Sequence, residues 1–203
     1  MPKLKISSKK NSRIKKLLEF LKEIDKAKRI ERIIHIAGRK QMETDAEHSW
    51  HVAMFVILFE KDLPKLNIER VLKIVLIHDL VEIYAGDTFS FDKVGKKTQK
   101  IREKKAAKRL FKKLPKDLEK EFWNLFTDYE ELQTKEAMVA KSFDKVQPMI
   151  QHILNKGKTL QKFGVKEQDI EEYVKDHMTH DAILIDIYNI LFSEIKRKKL
   201  AHS

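Results

Sequence analysis

The segment Val75-Leu76-Ile77-His78-Asp79-Leu80-Val81-Glu82 sets three titratable side chains inside the most apolar stretch of the chain. Ionised groups are costly in such a place unless they are paired or bound to a cation. At helical spacing His78 and Glu82 lie four apart, and Asp79 and Glu82 three apart, so one face can carry all three. The plain reading is a satisfied polar cluster that ties helices together. The alternative is a metal site, because an imidazole nitrogen and a neighbouring carboxylate oxygen can meet one cation. Two distant segments favour the metal. Glu47-His48-Ser49-Trp50 opens another apolar helix, and Ala137, Ala140, Asp144 and Gln147 follow helical spacing along a stripe of small residues that leaves room for a ligand. Together His48, His78, Asp79 and Asp144 offer two imidazoles and two carboxylates. That set neutralises a divalent ion and leaves coordination positions open. Mixed nitrogen and oxygen donors suit one Mn, Co, Fe, Ni or Mg ion better than a closed structural zinc site.

The elements that position these residues read as helices. With 5 Gly and 4 Pro in 203 residues, the chain lacks the turn formers that a sheet-rich fold requires. Ile14, Leu17, Leu18, Leu21 and Ile24 predict a helix from Arg13, running on through Arg32 and Ile33 until Gly38 stops it. Residues 1–12, basic and without acids, read as a frayed tail. Thr44 or Asp45 caps the next helix, with Glu47 near the capping-box position. That helix runs to about Asp62, and Pro64 follows it. Asn67 caps a third helix over residues 68–84, whose part from 71 to 81 is apolar nearly all round and should be the central buried helix, with Gly86 as its stop. A loop over 87–95 carries Phe89, Phe91 and Lys93. Further helices are predicted over 96–113, 116–131, 134–154, 167–178 and 181–198, with Pro148 expected to kink its own. The expectation is one all-α domain over residues 13–203.

Composition narrows the function classes. The absence of cysteine excludes a disulfide scaffold and fits a reducing cytoplasm. The Lys-rich N-terminus lacks the apolar core of a signal peptide, and no stretch approaches the roughly 20 apolar residues of a membrane helix. The net charge of +12 points toward anionic partners, although Lys and Glu in abundance also describe a well-solvated helical surface, the preferred reading.

The pattern His48, His78-Asp79, Asp144 resembles the H…HD…D signature of the HD-domain metal-dependent phosphohydrolases. Glu43-x-x-Ala46-Glu47-His48-Ser49-Trp50-His51, the run from Ile77 through Gly86-Asp87-Thr88, and Ala140-x-x-x-Asp144-x-x-Gln147-Pro148 are similar to one branch, which includes the 5′-deoxynucleotidases and the HD-domain-containing 2 group. Arg102-Glu103-x-x-Ala106-Ala107 and Leu114-Pro115 read the same way. The resemblance implies a compact helical HD bundle with His48, His78, Asp79 and Asp144 as metal ligands. It also implies Glu82 as a catalytic or substrate-side acid, Asp87 lining the nucleotide pocket with a catalytic part, and Arg32 on the phosphate. Lys93 is grouped with Arg32 and Asp87 on the substrate side. The activity implied is hydrolysis of (deoxy)nucleoside 5′-monophosphates to nucleoside and phosphate by a cytoplasmic homodimer. Ile33 stands where the characterised bacterial deoxynucleotidase carries Trp, so ribo- versus deoxyribo-preference stays open. Two alternatives remain: another HD phosphohydrolase, acting on a nucleoside triphosphate, cyclic nucleotide or alarmone, and a non-catalytic nucleotide- or nucleic-acid-binding module. The module predicts a contiguous basic face and gives no reason for four convergent ligands, so nucleic acid is the weaker partner and a small nucleotide the stronger.

Other groups have plainer readings. In His177-x-x-His180-Asp181, Asp181 reads as a helix cap. His51 reads as a rim or packing residue, His35 and His152 as structural, and Trp50, Phe55 and Phe59 as core. Trp123, Phe126 and Tyr129 read as packing or interface residues.

Overall fold

A computed structural model describes residues 8–63 and 65–203. Residues 1–7 of the expected basic tail, and Pro64, lie outside the described residues. Helix α1 (Ser8–Ile24) starts ahead of the expected Arg13 and is followed by a 3-10 turn over Asp25–Arg29. The predicted continuation of this helix through Arg32 and Ile33 does not form. Instead β1 (Glu31–His35) pairs antiparallel with β2 (Met42–Thr44), Glu31 opposite Thr44 and His35 opposite Met42. The β-branched Ile30, Ile33 and Ile34 favour extended backbone. Gly38, at φ +79°, supplies the turn between the strands rather than a helix stop. The pleat turns Arg32 and Ile34 inward and leaves Glu31 exposed.

Thr44 then caps α2 (Asp45–Leu58) in a full capping box with Glu47, as its spacing predicts. Asn67 caps α3 (Ile68–Ile77) by accepting a hydrogen bond from the Arg70 amide at 3.0 Å. The third predicted helix is not continuous. It tightens to a 3-10 turn at His78–Val81, resumes as the single turn α4 (Glu82–Ala85) and stops at Gly86, φ +74°. Nor is it buried all round, since Leu76 is half exposed.

Helices α5 (Lys96–Phe111), α6 (Lys116–Glu131) and α7 (Lys135–Leu154) follow the predicted spans closely, and α7 runs unbroken through Pro148. Then come α8 (Lys158–Lys162), α9 (Glu167–Val174) with a 3-10 turn over Lys175–Met178, and α10 (Ala182–Arg197), capped by Asp181. The central helix is α7, packed against α2, α3, α6 and α10. Its Ala137, Ala140, Phe143 and Val146 are fully buried, together with Val52, Val71 and Leu184. Among the described residues the protein is an all-α bundle carrying one short hairpin. No helix among the described residues is long and apolar enough to cross a membrane.

Candidate metal centre

Three elements deliver the four expected ligands to one place. The capping box fixes the first turn of α2 and so the buried His48, while the 3-10 turn presents His78 and Asp79 side by side. From the middle of α7, Asp144 completes the set. His48 Nε2 lies 3.0 Å from Asp144 Oδ1 and 3.7 Å from Asp79 Oδ2; His78 Nε2 lies 3.1 Å from Asp79 Oδ1 and 3.7 Å from Asp144 Oδ1. Ligand atoms of His48, His78 and Asp79 all fall within 4.8 Å of one another, close enough for one ion.

The residues fit a divalent cation on a stricter test. His78 Nδ1 is 2.7 Å from the Val75 carbonyl oxygen, and His48 Nδ1 is 2.7 Å from Gln147 Oε1. Both partners only accept, so each Nδ1 carries the proton and each Nε2 turns a lone pair toward the carboxylates. His78 Nε2 is buried and has no hydrogen-bond partner. A buried imidazole lone pair aimed at two carboxylates is what a metal would satisfy.

The charge around this set is dense. Arg32, turned inward by the strand, donates from Nη1 to Asp79 Oδ2 at 2.9 Å and stands 3.8 Å from Asp87 Oδ1 and 3.9 Å from Asp45 Oδ1. Burial, with Asp79, Asp45 and Asp87 adding to it, pushes the Glu82 carboxyl well above the ordinary carboxylate range. Burial likewise raises Asp87, and it lifts Asp45 to about 8 with help from Asp79. For Asp144 burial is outweighed first by the neighbouring Lys145 ammonium, and the carboxyl lies well below the usual value. Asp45, Asp79 and Glu82 form a second cluster of carboxylate oxygens within 4.8 Å.

Arg32, His78, Asp79, Glu82, Asp87 and Asp144 all line one polar cleft. Lys93 does not join them; it is exposed on the 87–95 loop and lines neither this cleft nor its neighbour. Of the discounted histidines, His51 packs against Trp50 and Phe55 with its Nδ1 3.1 Å from Gln147 Nε2, and the His177 backbone carbonyl accepts from the Ser142 hydroxyl. Asp181 accepts from the Ile183 amide as a cap should.

Several functional neighbours escaped the sequence reading. The Tyr129 hydroxyl donates to Asp144 Oδ2 at 2.7 Å, so this residue holds a carboxylate of the cluster where packing or an interface was expected. Gln147 donates to Glu43 Oε1 at 2.6 Å while its own oxygen holds His48. Its position three after Asp144, on the same helical face, was the available signal. Lys145 lies 3.4 Å from Asp144 Oδ2 and hydrogen-bonds the Tyr173 hydroxyl. Nothing local in the sequence marks Tyr129 or Tyr173, which arrive from other helices.

Comparison with known proteins bears on the family. Residues 24–184 match the model of the HD domain. The human 5′-deoxynucleotidase HDDC2 is 30% identical over 136 residues, 66% of this chain and 66% of that protein. Its Xenopus laevis counterpart is 31% identical over 138 residues, 68% of each. The chain thus spans about two thirds of the length of the curated relatives it matches. A crystal structure from Magnetospirillum magnetotacticum, named a predicted metal-dependent phosphohydrolase, superposes with a TM-score of 0.87 at 34% identity, over 95% of this chain and 100% of that one.

Proposed function

The chain belongs to the HD-domain family, and on that footing we propose that it is a metal-dependent phosphohydrolase that splits (deoxy)nucleoside 5′-monophosphates into nucleoside and inorganic phosphate. The observation that carries this reading is the convergence of His48, His78, Asp79 and Asp144 beside the buried guanidinium of Arg32. A divalent ion held by those four residues would polarise a phosphate oxygen and acidify a water there. Its identity among Mn, Co, Fe, Ni and Mg is set by which ion restores turnover. Arg32 neutralises equatorial phosphate oxygens through its guanidinium fork. Glu82 and Asp87, on the same cleft wall, exchange protons with the attacking water and the leaving 5′ oxygen. Gln147, Glu43 and Tyr129 hold the ligands in place and exclude water behind them.

The names of the curated relatives support the nucleotide as substrate class. A homodimer is part of the proposal, supported by the exposed apolar residues Trp50, Ile57, Leu58 and Ile190 on α2 and α10. So is a cytoplasmic location, since a cysteine-free chain needs no oxidising compartment.

The test is phosphate release from a panel of ribo- and deoxyribonucleoside 5′-monophosphates by metal-stripped protein, with each divalent ion added in turn. Turnover should appear only with metal, vanish with chelator and be abolished by His78→Ala. Hydrolysis by the stripped protein, or unchanged turnover in His78→Ala, overturns the reading.

A further inference from the structure

Among the described residues, Arg32, Lys141 and Lys145 are the side chains of fixed positive charge that line the polar cleft, and two of them are already engaged. Arg32 donates to Asp79 and faces Asp87 and Asp45, so its single charge is shared among three carboxylates. Lys145 lies beside Asp144 and hydrogen-bonds the Tyr173 hydroxyl. The remaining one, Lys141 of α7, is partly buried and has no hydrogen bond or ion pair among the described residues.

Lys141 precedes Asp144 by three residues, so the helix sets both on one face. Its Nζ lies 3.9 Å from the centroid of the Tyr129 ring, and that ring stands 4.7 Å from the His78 ring. The Tyr129 hydroxyl in turn holds Asp144. Lys141 thus borders the cluster on its Asp144 and His78 side, whereas Arg32 borders it at Asp79. Burial, with Lys145 adding to it, lowers the pKa of this ammonium in spite of Glu130 and Asp144. The face of the Tyr129 ring offsets part of that cost. What the site lacks is a counter-anion for a cation held partly out of water.

We propose that Lys141 is a catalytic residue that holds a non-bridging oxygen of the substrate phosphate from the Asp144 side of the cleft, as Arg32 does from the Asp79 side. The assignment rests on the phosphohydrolase reading above, because a phosphate monoester near neutral pH supplies the missing negative charge. Two cations then balance the phosphoryl oxygens from two directions, in a cleft otherwise rich in carboxylates that repel them. The two cations are not equivalent. Arg32 is fixed by its carboxylates, whereas an ammonium on a flexible stem can turn its three donors to follow an oxygen as the phosphoryl group moves toward the attacking water. The structural alternative is that Lys141 only clamps the Tyr129 ring. That role predicts a loosened Asp144 when the charge is removed, while removal of a charge reserved for substrate leaves the empty protein as stable as before.

The test compares the full chain as wild type, Lys141→Met and Lys141→Arg, each loaded with Mn. Calorimetry reads the affinity for inorganic phosphate and, separately, for Mn, and turnover of dAMP gives kcat and KM. Methionine keeps the length of the side chain and covers Tyr129 with an apolar arm. We expect Lys141→Met to bind inorganic phosphate about 10–100-fold more weakly and to lose at least as much in kcat/KM, with Lys141→Arg keeping most of both. Mn affinity and melting temperature should match wild type in both variants. Should Lys141→Met not fold, Lys141→Gln removes the same charge and is read the same way. Unchanged phosphate affinity in the charge-free variant overturns the assignment. So does a loss matched by an equal loss of Mn affinity, which makes Lys141 a prop for Tyr129, and so does a wild type that binds no phosphate. If phosphate binding weakens in Lys141→Met while no nucleotide is hydrolysed with any metal, the contact stands and the hydrolase reading falls.

Discussion

Gln147 is not among the proposed ligands, yet it fixes the tautomer of one of them. Its amide oxygen takes the Nδ1 proton of His48 and its nitrogen is anchored on Glu43. Gln147→Leu keeps the bulk and removes both bonds. It should weaken Mn binding about 10–100-fold in a calorimetric titration while the circular dichroism of the protein stays native. His152 supplies a prediction in pH. Its folded value is about 4 and its unfolded value near 6.5, so between them the unfolded chain binds a proton that the native chain does not. The stability it contributes is complete above about pH 6.5 and is lost as pH falls through about 4. Urea unfolding at pH 7 and pH 5 should show wild type losing about 2 kcal/mol more than His152→Leu across that interval. The convergence of His48, His78, Asp79 and Asp144 was legible because each sits in a short pattern of polar types among apolar neighbours. Tyr129 and Lys145 were not, because what makes them functional is a contact across helices.

At the scale of elements, local chemistry was readable and its long-range consequence was not. The Thr44 capping box and the Asn67 and Asp181 caps follow from side chains bonding backbone two or three residues away, and the Gly86 stop from a left-handed φ that glycine takes without strain. Thr44→Ala should cost about 1 kcal/mol in chemical denaturation, and it should lower cation affinity too, since the first turn of α2 positions His48. The hairpin was read as helix because Ile30, Ile33 and Ile34 satisfy a helical spacing as well as an extended one. What decides the matter is Ile34 entering the core and the inward Arg32 meeting Asp79, 47 residues away. The break at His78 was equally hidden. The apolar pattern runs on, while the backbone tightens where the turn has to present an imidazole and a carboxylate together.

For the whole molecule, the clustered acids and imidazoles make folding and ion loading one equilibrium. An ion that binds only the native state adds about 2.7 kcal/mol at a hundred times its dissociation constant. The melting temperature of chelated protein should therefore climb with added Mn and return with chelator, whereas His78→Ala should melt at one temperature throughout. Because α7 is both the packing axis of the bundle and the carrier of Asp144, its one proline has a particular meaning. Pro148 has no amide hydrogen, so the carbonyl of Asp144, four residues earlier, goes without its usual helical donor. An alanine there would mend the ladder and strengthen the scaffold, but it would also draw the ligand's own peptide group back into regular geometry. The polypeptide thus leaves a stitch undone directly beneath the carboxylate proposed to hold the ion, and engineering for heat resistance should avoid closing it.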